Sequence, residues 1–215
     1  MNNISKLSLS AVLAFALMSC GMGNKPNDST TVNNANAVAA ATTVDNAVKN
    51  GMDNANEKMK ERRAKGDTLA MPYTDLQKYL PQSLDGYTAE TPNGASVNMM
   101  KMSYSSAEIR FKKDNGDWVK VTIIDYNQAY NLYSSATAMW AMGMSVDSPD
   151  EKASGIKLDN STGGWQVYKK KTKNATVTLG VGYRFWVQVD ANNQDDADKV
   201  LSIAKSIDLA KLASL

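Results

Sequence analysis

Between Gly21 and Gly66 the chain contains no aromatic residue, no leucine and no isoleucine. A stretch so poor in large apolar side chains cannot bury enough surface to offset the entropy of ordering it into a core. Tertiary packing must therefore come from the residues after it, 67–215, which make about one typical domain's length.

That domain must stand on packing alone. One cysteine in the whole chain allows no internal disulfide. Histidine is absent, which removes the usual physiological general base, the commonest metal ligand and any hydrolase that relies on imidazole. A net charge of +2 is too small to suggest a nucleic-acid or anionic-membrane surface, and no polyanion partner is implied.

Ahead of the polar stretch, residues 1–6 are polar and end in Lys6, and residues 7–18 (LSLSAVLAFALM) are almost wholly apolar. This block has the length of a signal peptide and falls short of the roughly 20 residues needed to span a bilayer. It closes on Leu17-Met18-Ser19-Cys20, with leucine three residues before the cysteine and a small residue directly before it. This resembles the bacterial lipobox. The resemblance implies cleavage before Cys20, fatty acylation of its thiol and usually of the new amine, and a stable membrane anchor. Gly21 stands where an inner-membrane retention signal carries aspartate, so the resemblance implies the outer membrane, on either face. An ordinary cleaved signal with a leftover thiol is the plainer alternative. The expected organisation is a signal peptide over 1–19, a lipidated polar tether over 20–66 and a single globular domain over 67–215.

The tether carries a weak helical stripe, Val44, Val48, Met52, Ala55 and Met59, interrupted by Gly51. A partly helical linker is favoured over a self-pairing stalk. If flexible throughout, about 45 residues span roughly 35 to 40 Å. Asp28-Ser29-Thr30 and Asp67-Thr68-Leu69 resemble the acceptor motif of a general O-glycosylation system of one group of Gram-negative bacteria. That resemblance implies glycans on Ser29 and Thr68; coincidental pairs in a polar linker account for them equally well.

In the domain, Thr74 is placed to cap a short helix, Asp75 to Leu80, that stops at Pro81. Val97 to Tyr104 is β-compatible and predicts a first strand. The clearest local structure is the hairpin AEIRFKK-DNG-DWVKVTII. A three-residue loop at Asp114-Asn115-Gly116 sets Phe111 against Val119, Ile109 against Val121 and Lys113 against Asp117. A two-residue loop sets Phe111 against Lys120 and Asp114 against Asp117. Hydrophobic register and charge therefore both select the longer loop, with Gly116 left-handed.

Residues 129–143 have the apolar spacing of a helix that packs on the sheet. Strands follow at 155–158, 164–170, 175–181 and 184–190. An N-cap among Asp195 and Asp196 opens a helix burying Val200, Ile203, Ala204 and Ile207, and Asp208 is placed to cap a further turn with Leu209 and Leu212. The fold class is α+β, a mainly antiparallel sheet of about six to seven strands flanked by helices.

Functional constellations are sparse. The Asp190 to Asp198 loop has Asp195 where a calcium loop needs glycine and Leu201 where it needs glutamate. No glycine-rich loop leads from a strand into a helix, so no nucleotide site is expected, and no cofactor or metal is implied. Lys169, Lys170, Lys171 and Lys173 read as a solvated hairpin tip, with contact to an anionic surface as the alternative. Asp125 and Glu108 are candidates for a histidine-free acid/base pair if they converge.

The element order, with the strands Gly164-Trp165-Gln166-Val167-Tyr168 and Tyr183-Arg184-Phe185-Trp186-Val187, resembles the PsbP-like and LpqN-like group of small exported α/β domains over residues 72–212. The resemblance implies a non-enzymatic accessory or binding role, with no shared catalytic residues to carry over. The expected function is thus a lipid-anchored envelope protein that binds or assembles an unknown protein, glycan or lipid partner. The alternative is a carboxylate-dependent enzyme acting on envelope glycans.

Overall fold

The computed structural model describes residues 34–99, 102–127 and 145–215. Helix α1 runs from Asn34 to Ala64 without a break at Gly51. An interior glycine costs about 1 kcal/mol relative to alanine. The many alanines, with methionine, lysine and glutamate, are strong helix formers that offset it, and at about 1.5 Å per residue the helix is roughly 46 Å long. Over its described residues the linker carries the helix expected of it, with no interruption at Gly51.

Its end is sharply defined. Gly66 takes φ +80°, its N–H donates to Arg63 O (3.0 Å), and the next N–H, from Asp67, donates to Arg62 O (3.0 Å). These are the paired bonds of a Schellman stop, which turns the chain away from the helix axis.

The next turn of helix, α2, spans Tyr73–Leu76 and passes into a 3-10 turn, Gln77–Tyr79. Pro72 takes the cap position and no side chain caps it, so Thr74 lies inside the helix instead. Proline suits such a start because it lacks the N–H that a first turn leaves unbonded.

Nine strands among the described residues form one antiparallel sheet, more than the six to seven expected. They are β1 (Thr88–Ala89), β2 (Asn93–Met99), β3 (Met102–Lys112), β4 (Trp118–Asp125), β5 (Ser145–Asp147), β6 (Glu151–Lys157), β7 (Thr162–Lys169), β8 (Asn174–Val181) and β9 (Phe185–Ala191). The order is β1-β3-β4-β9-β8-β7-β6-β5, with β2 alongside β3. The expected strand at 97–104 is in fact the meeting of two, because Met99 pairs with Met102. β6 begins earlier than predicted, and β5 was not predicted.

The β3–β4 hairpin has the register derived above: Phe111 opposite Val119, Ile109 opposite Val121 and Ala107 opposite Ile123. Lys113 N–H donates to Asp117 O (2.9 Å), and Gly116 has φ +90°. The interior is one face of the sheet. Val119, Val121, Ile123, Val177, Leu179, Phe185, Val187 and Val189 are all fully buried on it. Each such side chain contributes roughly 1.5 to 3 kcal/mol relative to exposure.

Two C-terminal helices cover that face, α3 (Asp198–Ser206) and α4 (Leu209–Ala213), through Val200, Ile203, Ala204 and Leu212, with Leu76 and Leu80 joining the cluster. Ala197 occupies the cap position of α3, while Asp196 Oδ1 accepts from Asp198 N–H (2.8 Å). The Asp208 cap of α4 is formed as predicted, accepting from Lys211 N–H at 3.0 Å. The expected helix at 129–143 lies outside the described residues. Trp118, Trp165 and Trp186 occupy the opposite face of the sheet and are half-buried.

Candidate functional site

The densest polar cluster lies where β4 ends and β9 begins. Alternation points Val119, Val121 and Ile123 inward, and the same parity drives Asp125, the last residue of β4, into the interior, where it is fully buried. A buried carboxylate needs a cation and hydrogen bonds. Arg184 supplies both, donating from Nε to Asp125 Oδ1 (2.9 Å) and from Nη2 to Asp125 Oδ2 (2.7 Å).

The β8–β9 turn explains the position of Arg184. Gly182 and Tyr183 both have positive φ, and Arg184 N–H donates to Val181 O (3.2 Å), the pattern of a tight hairpin turn that matches strand twist. Arg184 also donates from Nη1 to Asp67 Oδ2 (2.7 Å), the residue that the Schellman stop has just turned inward. Asn127 bridges the same segment, donating from Nδ2 to Asp67 Oδ1 (2.7 Å) and Leu69 O (2.9 Å). Met71 N–H donates to Asp125 Oδ2 (2.8 Å), and Ala70 N–H to Ser103 Oγ (2.8 Å). Arg62, in the last turn of α1, donates to Asn127 Oδ1 (3.3 Å) and Tyr183 O (3.4 Å). The whole is a clasp that fastens the end of α1 and residues 67–71 to the centre of the sheet.

Burial works against the charge on Arg184, but hydrogen bonds and charge from Asp125, then Asp67, outweigh it and raise its pKa above the ordinary arginine value. Its carboxylate partners are committed to arginine, asparagine and backbone donors, which suits a structural fastening better than proton transfer. Ser105, whose Cα pairs with that of Asp125, is fully buried, and its hydroxyl has no hydrogen-bond partner.

The sequence candidates fare differently. Asp125 and Glu108 lie on opposite faces of the sheet, since Ser105, not Glu108, pairs with Asp125, and so they form no acid/base pair. Thr68 is exposed, but the Asp67 of its motif is held in the clasp. Cys20 and Ser29 lie outside the described residues. In the basic turn, Lys170, Lys171 and Lys173 are paired with Asp147, Asp150 and Asp195. Within the Asp-rich loop, Asp190 accepts from Thr176 Oγ1 (2.8 Å) and Gln188 Nε2 (2.9 Å), and among the described residues no group of carboxylates or thiols is disposed to hold a metal ion.

A depression of about 240 Å³ lies between the 3-10 turn and α4, lined by Lys78, Tyr79, Pro81, Ser206, Asp208 and Lys211. Its polar groups are largely engaged. Lys78 pairs with Asp75 (2.7 Å), Asp208 caps α4, and Lys211 Nζ sits 5.6 Å from the Tyr79 ring centre.

The role of Arg184 and Asp67 was not read from the sequence. The available signal was Asp125, a charge two residues after Ile123 and so of inward parity at the end of an apolar strand. No protein family, curated protein or solved structure matches the chain. No described helix is long and apolar enough to cross a membrane.

Proposed function

We propose that this protein is a lipid-anchored component of the cell envelope, held at the outer membrane through Cys20, that binds or assembles a protein, glycan or lipid partner without catalysis. The observation that carries the reading is the sequence Leu17-Met18-Ser19-Cys20, which closes the N-terminal apolar block and contains the sole thiol of the chain. An acylated cysteine there joins the membrane to α1, and α1 is clasped to the folded domain. The charged groups at the centre of the domain serve that attachment, and the oppositely facing Asp125 and Glu108 give the enzymatic alternative no support.

Metabolic labelling with a fatty acid tests the anchor. The wild-type chain takes up label, and Cys20→Ala takes up none. Equal labelling of the two chains ends the reading.

A further inference from the structure

We propose that β2 is the edge through which this protein associates with itself: its open side pairs, antiparallel and about a two-fold axis at Ser96, with β2 of a second copy. The inference is independent of the anchor at Cys20. β2 keeps register with β3 over seven consecutive residues, Asn93 to Met99, without a bulge. Five of the seven, Asn93, Ala95, Ser96, Asn98 and Met99, are exposed. The α2 turn braces the strand from the core side, where Tyr73 N–H donates to Ser96 Oγ (2.9 Å) and the Tyr73 ring covers Gly94.

The parity of the ladder shows which backbone groups are open. Lys113 N–H donates to Asp117 O, so the odd residues of β3 bond to β4 and its even residues bond to the strands on its other side. Glu90 N–H accordingly donates to Arg110 O (2.7 Å). In the β2–β3 register the even residues of β3 stand opposite Asn93, Ala95, Val97 and Met99. Gly94, Ser96 and Asn98 therefore direct their N–H and C=O groups away from the sheet. The Gly94 N–H is taken by Asn93 Oδ1 (2.8 Å), and among the described residues no backbone group meets the others.

The chemistry of this edge fits a second copy. The open groups at 94, 96 and 98 are symmetric about Ser96, so in an antiparallel copy the N–H groups of Ser96 and Asn98 find the carbonyls of Ser96 and Gly94. The seven residues hold no charge and no proline. Self-pairing therefore sets no like charges opposite each other, and on the outer face Ala95 meets Val97 of the copy and Asn93 meets Met99. The other margins are guarded. Glu90 is paired with Lys112 and Pro92 stands ahead of β2, while β5 is three residues long with Asp147 tied to Lys170. Pairing β2 with β2 uses the unguarded edge of both copies and closes as a dimer. A foreign strand would take its specificity from pockets for alternate side chains, and the depression described above is not lined by β2.

The test uses the full chain carrying Cys20→Ser, in mild detergent, so that an added cysteine is the sole thiol. In the proposed register Ala95 and Val97 of the copy have Cα atoms roughly 4.5 Å apart, within reach of a disulfide, while like positions are roughly 7 to 8 Å apart. Mixed Ala95→Cys and Val97→Cys chains are expected to crosslink to one another about fivefold or more faster than either does with itself. Sedimentation equilibrium is expected to show a reversible dimer. Ala95→Glu/Val97→Glu sets glutamates opposite each other and weakens it about fivefold or more, whereas Ala95→Lys/Val97→Glu sets lysine opposite glutamate and brings it back toward the parent. A folding defect would weaken both variants alike, and association through the N-terminal apolar block would be blind to residues 95 and 97. A monomer at every concentration, crosslinking with no preference for the mixed pair, or equal dimerisation of the two charged variants overturns the proposal. A monomeric parent whose residue 96, carrying a photocrosslinker, captures a different chain overturns it in favour of a foreign strand.

Discussion

A single guanidinium sits between two carboxylates at Arg184, and it is 5% exposed while Asp125 has no exposure at all. Removing it leaves the buried Asp125 carboxyl without its cationic partner. The expected cost of Arg184→Met is about 3 to 5 kcal/mol, the range for breaking a buried pair from one side, read as a lowered urea midpoint with an unchanged slope. Adding Asp125→Leu to that variant recovers part of the loss, because the orphaned carboxyl goes with it. Recovery is incomplete, since Met71 N–H and Asn127 N–H both donate to the same carboxylate and lose their acceptor.

Among the elements, β7 and β8 meet with no room for a side chain at Gly164. A Cβ on Gly164 would lie 1.8 Å from the backbone oxygen of Thr178, whereas one on Gly155 would meet nothing within 4 Å. Gly164→Ala must force the two strands apart and is expected to cost about 3 kcal/mol or more, while Gly155→Ala stays within about 0.5 kcal/mol. Paired thermal melts of the two variants check this. The strongly alternating elements were legible beforehand: the β3–β4 hairpin fixes its own register through Phe111, Ile109 and Ala107, and β8 and β9 show their inward valines. Elements with little to bury were not. β5 is three exposed residues, and β2 reads NGASVNM, small and polar, because it lies at the margin of the sheet. The continuity of α1 was hidden by Gly51, whose local penalty is outweighed by the helix formers on either side.

At the scale of the molecule, the clasp joins positions far apart in sequence, with Arg184 reaching back 59 residues to Asp125 and 117 to Asp67. Periodicity registers spacing of a few residues and says nothing of such meetings, so the candidate site was visible only as isolated charges. Its consequence is that residues 21–66 are not a free tether up to their end. Asp67→Ala removes one ion pair and the contact with Asn127, and hydrogen exchange of amides 62–71 is expected to speed up about tenfold or more, while β4 and β9 remain protected. Equal acceleration in the strands would show that the clasp supports the whole core and not only the arm.

The Schellman stop at Gly66 also decides how load travels. Tension drawn through α1 leaves the helix axis at Gly66, passes into Asp67, and is received by Arg184 at the junction of β4 and β9, two interior strands of the sheet. A pull on the N-terminal side is thus delivered to the middle of the sheet and not to its margin, where strands would peel off one at a time. A few side-chain bonds hold the clasp and whole ladders hold β4 and β9, so a tugged molecule is expected to release its arm before its fold.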